Sequence, residues 1–160
     1  MNIFIVSLDA VQAARDLCNR HNLKMIVETA QLLSAAHPAG TAPYRATHVN
    51  HPCAKWTRES IENYRWLVVH GAALCDEYTL RYGKRHKTQD VIQWLCVHEP
   101  DLPKMGMTPF ARAIKEPWKS QTAHLDVVSA YRAYYIGDKA RFARWAPRAK
   151  APAWWPDEEA

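Results

Sequence analysis

Glycine is scarce, five in 160 residues, and no Gly-rich phosphate loop follows a strand-like segment. The Gly-x-Ser-x-Gly elbow is missing too. Nucleotide-dependent enzymes and serine hydrolases therefore lose ground. The four cysteines, Cys18, Cys53, Cys75 and Cys96, lie 35, 22 and 21 residues apart, with no close pair of the kind that structural zinc or a dithiol motif needs. None has an adjacent basic neighbour to favour a thiolate nucleophile, and only Cys53, near the His51 turn, stays open as one. No uncharged stretch approaches the ~20 residues of a membrane helix. Met1 to Leu8 is apolar but has no basic start, no long apolar run and no small-residue cleavage site. These absences predict a soluble protein of a reducing, cytoplasmic compartment with no membrane partner. What is present is ordinary globular composition, 48% hydrophobic and 23% charged, in a chain of single-domain size without internal repeats.

The charge is unevenly placed. Residues 131–150 hold Arg132, Lys139, Arg141, Arg144, Arg148 and Lys150 against Asp138, a net of +5, which is the whole excess of the chain. Tyr131, Tyr134, Tyr135, Phe142 and Trp145 are interleaved with these cations, and Trp154 and Trp155 follow. Cations neutralise phosphates and rings accept stacked bases, so the pattern suits nucleic acid. A helix with core aromatics and solvated basic residues gives the same pattern.

Helix signals run through most of the chain, and the expected class is mainly α: one compact helical domain over 1–160 with irregular loops. Asp9 with Gln12 has the form of a capping box opening a helix over about 10–19. Leu23, Ile26, Val27, Ala30 and Leu33 recur at helical spacing and predict helix two over roughly 22–36, stopped by His37-Pro38-Ala39-Gly40. Residues 37–50 form a loop. Pro52 suits the first position of a third helix, over 52–82, that Gly83 ends and Gly71 could interrupt. Thr88 caps a short helix carrying Val91, Ile92, Trp94 and Leu95, and Pro100, Pro103, Gly106, Pro109 and Pro117 mark a long irregular connection. A last helix covers about 122–135, with Gly137 dividing it from the basic segment. The stretch 147–160, three prolines and a closing Asp157, Glu158 and Glu159, is expected to attach loosely.

Helix two is the most informative element. At 100° per residue His21, Lys24, Glu28 and Gln31 share a narrow polar stripe, opposite the apolar face of Leu23, Ile26, Val27, Ala30 and Leu33. Such a stripe either faces a cleft, where desolvation lifts a carboxylate toward the range useful for proton transfer, or is a thin solvated edge with an ordinary Lys24–Glu28 pair. The second cluster is His48-Val49-Asn50-His51-Pro52, where a helix start can hold a phosphate or a base edge. His48 and His51 lack a third ligand, so no metal is expected. Trp56, Glu59, Asn63, Trp66 and His70 share one face of helix three, and Arg58, Glu62 and Arg65 a solvated one; Glu59 and Asn63 on the tryptophan side would need polar partners.

Three segments together resemble the pyrimidine-dimer DNA glycosylases of the phage endonuclease V type and their phage and bacterial relatives: Arg20-His21 through Glu28 to Leu33; Asn50-His51-Pro52 with Trp56 and Tyr64; and Tyr131-Arg132-Ala133-Tyr134-Tyr135-Ile136-Gly137-Asp138-Lys139. The resemblance implies a helical, cofactor-free DNA N-glycosylase, with or without an abasic-site lyase step, acting on a damaged or modified pyrimidine extruded from duplex DNA in the host cytoplasm. Glu28 would be the carboxylate that stabilises positive charge developing on the sugar. His51 would contact the strand near the lesion, with His21, Gln31, His48 and Asn50 around it. The segment bearing Arg132, Tyr135, Lys139, Arg141, Arg144 and Trp145 would lie against the duplex.

One position departs from the family. Its lyase step uses the α-amine of a small second residue exposed by removal of the initiator Met, forming a Schiff base with the sugar. Asn2 is too large for efficient Met removal, which assigns the free amine to Met1, with Lys24 as the substitute. The alternatives are pyrimidine hypermodification of phage DNA on the same scaffold, a non-catalytic nucleic-acid-binding protein, and a helical domain that binds an acidic protein. Oligomeric state is not legible.

Overall fold

The computed structural model describes residues 1–156, and these contain helices and no strands. In chain order they are α1 (Ala10–Asp16), α2 (Asn19–Ser34), α3 (Pro52–Glu59), α4 (Ile61–Tyr82), α5 (Gln89–Val97), α6 (Trp118–Gln121) and α7 (Val127–Lys139). The mainly α class stands.

Local signals set most of the boundaries. The Asp9 side chain accepts the Gln12 amide at 2.7 Å, as a cap should. The Gln12 side chain does not reach back to close the box but donates to Asp16 at 2.7 Å. Pro52 opens α3, where its missing amide costs nothing, and Gly83 closes α4 at φ 68°, a conformation glycine adopts without a Cβ clash. The helix expected over 52–82 is two helices. Extended Ser60 (φ −149°) ends α3, and its side chain accepts the Asn63 amide to start α4. Gly71 does not interrupt α4.

α4 is the axis of the molecule, packed against α1, α2, α3 and α5. Trp56, Tyr64, Leu67 and Leu74 are fully or almost fully buried around it, each contributing roughly 1.5–3 kcal/mol of transfer free energy. At Gly71 the helices approach so closely that a Cβ would lie 3.0 Å from Thr29 Cγ2 and 3.2 Å from Ile92 Cδ1. Buried polar groups here are mostly paired. Asn63 donates to the Trp56 carbonyl and Thr108 Oγ1 and accepts the Thr108 amide, whereas Glu59, expected beside it, is exposed.

Met1 to Leu8 is irregular and largely buried. Asn2 anchors it: the side chain donates to the Ala113 carbonyl and accepts the Ile3 and Phe4 amides and the Tyr131 hydroxyl. Phe4 takes φ 60°, a strained setting for a side chain with a Cβ, and the turn places its ring among His21, Tyr131 and Tyr135. α7 runs through Gly137 rather than stopping before it. The reason is non-local: a Cβ there would come 2.1 Å from Trp118 Nε1, so glycine admits the indole of α6. In the stretch expected to be a loose tail, Trp154 donates to the Asp16 carboxylate at 2.9 Å and Trp155 packs on Trp145 and Tyr135. Asp157, Glu158 and Glu159 lie outside the described residues. No helix is long and apolar enough to cross a membrane among the residues described.

Candidate active site

α2 presents its residues differently from the periodicity. Ile26, Ala30 and Leu33 are buried, but Leu23 and Val27, expected beside them, are 40% and 36% exposed. Asn22, Met25, Thr29 and Leu32 fill the buried face instead, so the helix is rotated toward α4 relative to the expected stripe. Asn22 donates to the Leu74 carbonyl at 3.0 Å, which lets a polar residue sit there. Along the polar row, Lys24 is exposed, Glu28 and Gln31 are half-buried and His21 is buried.

Glu28 is the distinctive carboxylate. Its side chain is 15% exposed, with Oε1 3.7 Å from Lys24 Nζ. Oε2 is buried with no hydrogen-bond partner, a costly arrangement for an acceptor-only group.

His51 lies at the start of α3. Its Nδ1 accepts the Cys53 amide at 3.1 Å and caps α3, so in the neutral ring the proton is on Nε2. His48 holds φ 52° in the preceding turn, its carbonyl accepts the His51 amide, and Arg58 donates to the Val49 carbonyl. The ring of His51 thus occupies an amide of the α3 start that was expected to be free for a phosphate. Burial lowers the His51 pKa, the positive amino terminus at Met1 and His48 lower it further, and Glu28 opposes them. The same two charges reach Cys53: burial pushes its thiol up to about 12, the amino terminus pulls it down and Glu28 pushes it up. The α-amine of Met1, Glu28, His51 and Cys53 therefore share one electrostatic neighbourhood. A thiol held so high is no thiolate nucleophile.

His21 supports this site from the core. Tyr135 accepts the Cys18 amide at 3.0 Å, which leaves its single proton to donate to His21 Nδ1 at 2.8 Å. The imidazole stacks on Phe4 with centroids 4.5 Å apart. Burial lowers its pKa to about 3, helped by Lys139, Lys24 and Arg20 and opposed by Asp138. A neutral, enclosed His21 ties α2 to α7; it does not face a cleft.

The C-terminal segment also departs from expectation. Tyr135 is 0% and Trp145 4% exposed, so neither offers a ring face to a base. Arg132 donates to the Val6 carbonyl and lies over Trp154. Lys139 pairs with Asp138 at 2.6 Å, which also takes Lys115 at 3.2 Å. Arg20 and Arg141 both lie over Phe142, at 4.7 and 5.0 Å. Arg20, Lys24, Arg141 and Arg144 are exposed, as are His48 and Asn50. By sharing the Phe142 ring, Arg20 and Arg141 bring the start of α2 and the residues after α7 together.

The carboxylate, the histidine-capped α3 start and the amino terminus all fall within the first 90 residues, and a family model described as pyrimidine dimer DNA glycosylase matches residues 1–90. The chain belongs to the pyrimidine dimer DNA glycosylase family. No curated protein and no solved structure matches the chain. Membership in this glycosylase family implies a DNA substrate. The matched region ends inside α5, so α7 and the basic segment lie beyond it. Among the described residues no group of three His, Cys, Asp or Glu side chains could hold a metal ion. Two hollows open elsewhere, one between 143 and 156 and one between α1 and α4, and Glu28 lines neither. Sequence reasoning missed Asn2 as an anchor; its only signal was a polar residue inside an apolar N-terminal run.

Proposed function

We propose that the protein is a DNA N-glycosylase that releases a damaged or modified pyrimidine flipped out of the duplex, with Glu28 as its catalytic carboxylate. The observation that carries this reading is the half-buried Glu28 carboxylate with an unpartnered oxygen, in the same electrostatic neighbourhood as an α-amine and a neutral His51. As the C1′–N bond breaks, its electron pair leaves with the base, which takes up a proton from solvent, positive charge builds on the sugar, and a water or an amine bonds to C1′ and gives up a proton. A fixed carboxylate opposite that charge is stabilising where water is partly excluded. His51 has Nε2–H as its donor toward the strand. Met1 is the amine that adds to C1′ in the lyase step, and Lys24, exposed and ion-paired with Glu28, is the second candidate.

The test is Glu28→Gln on ultraviolet-irradiated and base-modified duplexes. Base release falls about 10²- to 10⁴-fold, while DNA affinity and unfolding stability stay within twofold and about 0.5 kcal/mol. Borohydride trapping followed by peptide mapping identifies the amine. Full activity in the variant removes Glu28 from the reaction, and an unmodified protein that binds DNA without releasing base establishes the non-catalytic alternative.

A further inference from the structure

The hollow between residues 143 and 156 has a volume of about 690 Å³ and is lined by Arg144, Lys150, Trp145 and Trp155 among small alanines and prolines. Arg144 and Lys150 are exposed at its edge and Trp155 is half-buried. Arg144 commits part of its guanidinium to the Ala143 carbonyl, 2.7 Å from Nη1, and no described carboxylate lies within ion-pair distance of Arg144 or Lys150. Trp155 is braced from below by Trp145, 4.9 Å away, and by Tyr135 at 6.1 Å. Two cations and a half-buried indole lining one hollow combine a phosphate grip with a stacking surface.

The hollow is tied to α2. The Asn19 amide donates to the Arg144 carbonyl at 2.8 Å, and its side chain donates to the Trp145 carbonyl at 3.1 Å. Asn19 begins the helix that carries Glu28 nine residues later. At 1.5 Å and 100° per residue Glu28 stands ~13.5 Å along the axis and half a turn around it from Asn19. Exposed Arg20 and Lys24 lie between the two points on the same helix.

We propose that this hollow is a nucleotide subsite, taking one phosphate–base unit of the DNA strand away from the nucleotide at Glu28, with Arg144 and Lys150 on the phosphate and Trp155 against the base. The inference rests on the DNA-glycosylase reading for its ligand and lies outside the residues the family model matches. An indole in the same hollow as the cations favours a nucleotide over an acidic peptide, which has charge but nothing to stack.

The experiment is fluorescence anisotropy with an undamaged duplex between 50 and 200 mM salt. The double variant Arg144→Ala/Lys150→Ala changes two exposed side chains. Its log–log salt slope is expected to shrink by about 0.9 for each phosphate no longer neutralised, roughly 1 to 2 in all. Lys84→Ala/Lys87→Ala, which removes the same charge beyond α4, leaves the slope unchanged. Trp155→Phe keeps affinity within a few-fold but loses part of the DNA-induced tryptophan quenching, and Trp155→Ala lowers affinity about tenfold. In damaged duplexes trimmed on one side at a time to two base pairs, the Arg144/Lys150 penalty disappears for one side only. An unchanged slope, an equal loss in the Lys84/Lys87 control, or displacement of the duplex by a poly-glutamate peptide at equal charge overturns the subsite. Base release by the unmodified protein is scored separately, so a protein that releases no base but loses salt slope in the double variant refutes the proposed reaction and not the subsite.

Discussion

Replacing Tyr135 by Phe removes one oxygen from the core and keeps the ring. That oxygen accepts the Cys18 amide and donates to His21 Nδ1, both buried. Each partner left unpaired costs about 1–3 kcal/mol, so the variant is destabilised by roughly 2–6 kcal/mol. With a urea m-value of about 2 kcal/mol/M, the unfolding midpoint drops by roughly 1–3 M. Equilibrium urea unfolding followed by tryptophan fluorescence measures the drop, and anisotropy on a duplex at a urea concentration where both proteins are folded measures binding. Stability should fall while DNA affinity stays within twofold. A stability loss under about 0.5 kcal/mol together with a roughly tenfold fall in affinity would refute the reasoning, because it would put the phenol on the DNA side.

Stability should also depend on acid. Burial holds the His21 pKa at about 3 and the His70 pKa at about 4, while the unfolded chain takes up both protons near pH 6.5. The unfolded state therefore binds more protons below that pH, and stability falls as pH falls, by about 2 kcal/mol per histidine between neutrality and pH 5. Urea unfolding at pH 7.5 and 5.0 that gave the same free energy would contradict this. Gly137→Ala places a methyl in the Trp118 ring. The clash outweighs the ~1 kcal/mol helix gain, so the variant loses about 1–2 kcal/mol and shifts the near-ultraviolet dichroism of Trp118; a stabilised variant would show that the indole moves aside freely.

Elements fixed by neighbouring residues were legible in the sequence. The Asp9 cap, Pro52 at the start of α3, Gly83 after α4 and the prolines of 98–116 each act within a few residues. The break at Ser60 was legible in principle, as a capping serine before Ile61, but the apolar period continues across it. Gly137 reads as a breaker because Trp118, which needs the space, is far away in sequence. The interleaved aromatics of 131–145 carry the same period whether they face core or ligand, and only their burial decides. At the site, Glu28 and His51 could be singled out from pattern and resemblance. The role of His21 could not, since it depends on Phe4 and Tyr135 arriving from both ends of the chain. The rotation of α2 that leaves Leu23 and Val27 outside follows from Asn22 and Thr29 finding places against α4, which periodicity scores as polar.

On the reading proposed above, in which Glu28 is the catalytic carboxylate, the crossing at Gly71 sets how accurately it can be aimed. Thr29 rests where a side chain on α4 would stand, and Glu28 is its neighbour in the chain. Any bulk added at that crossing would wedge the two helices apart and swing Glu28 off its bearing, although the added atoms would lie in the core. The alignment tolerance of the chemistry is in this sense machined into the far side of the helix, and drift in core packing would reach the reaction before it reached the fold.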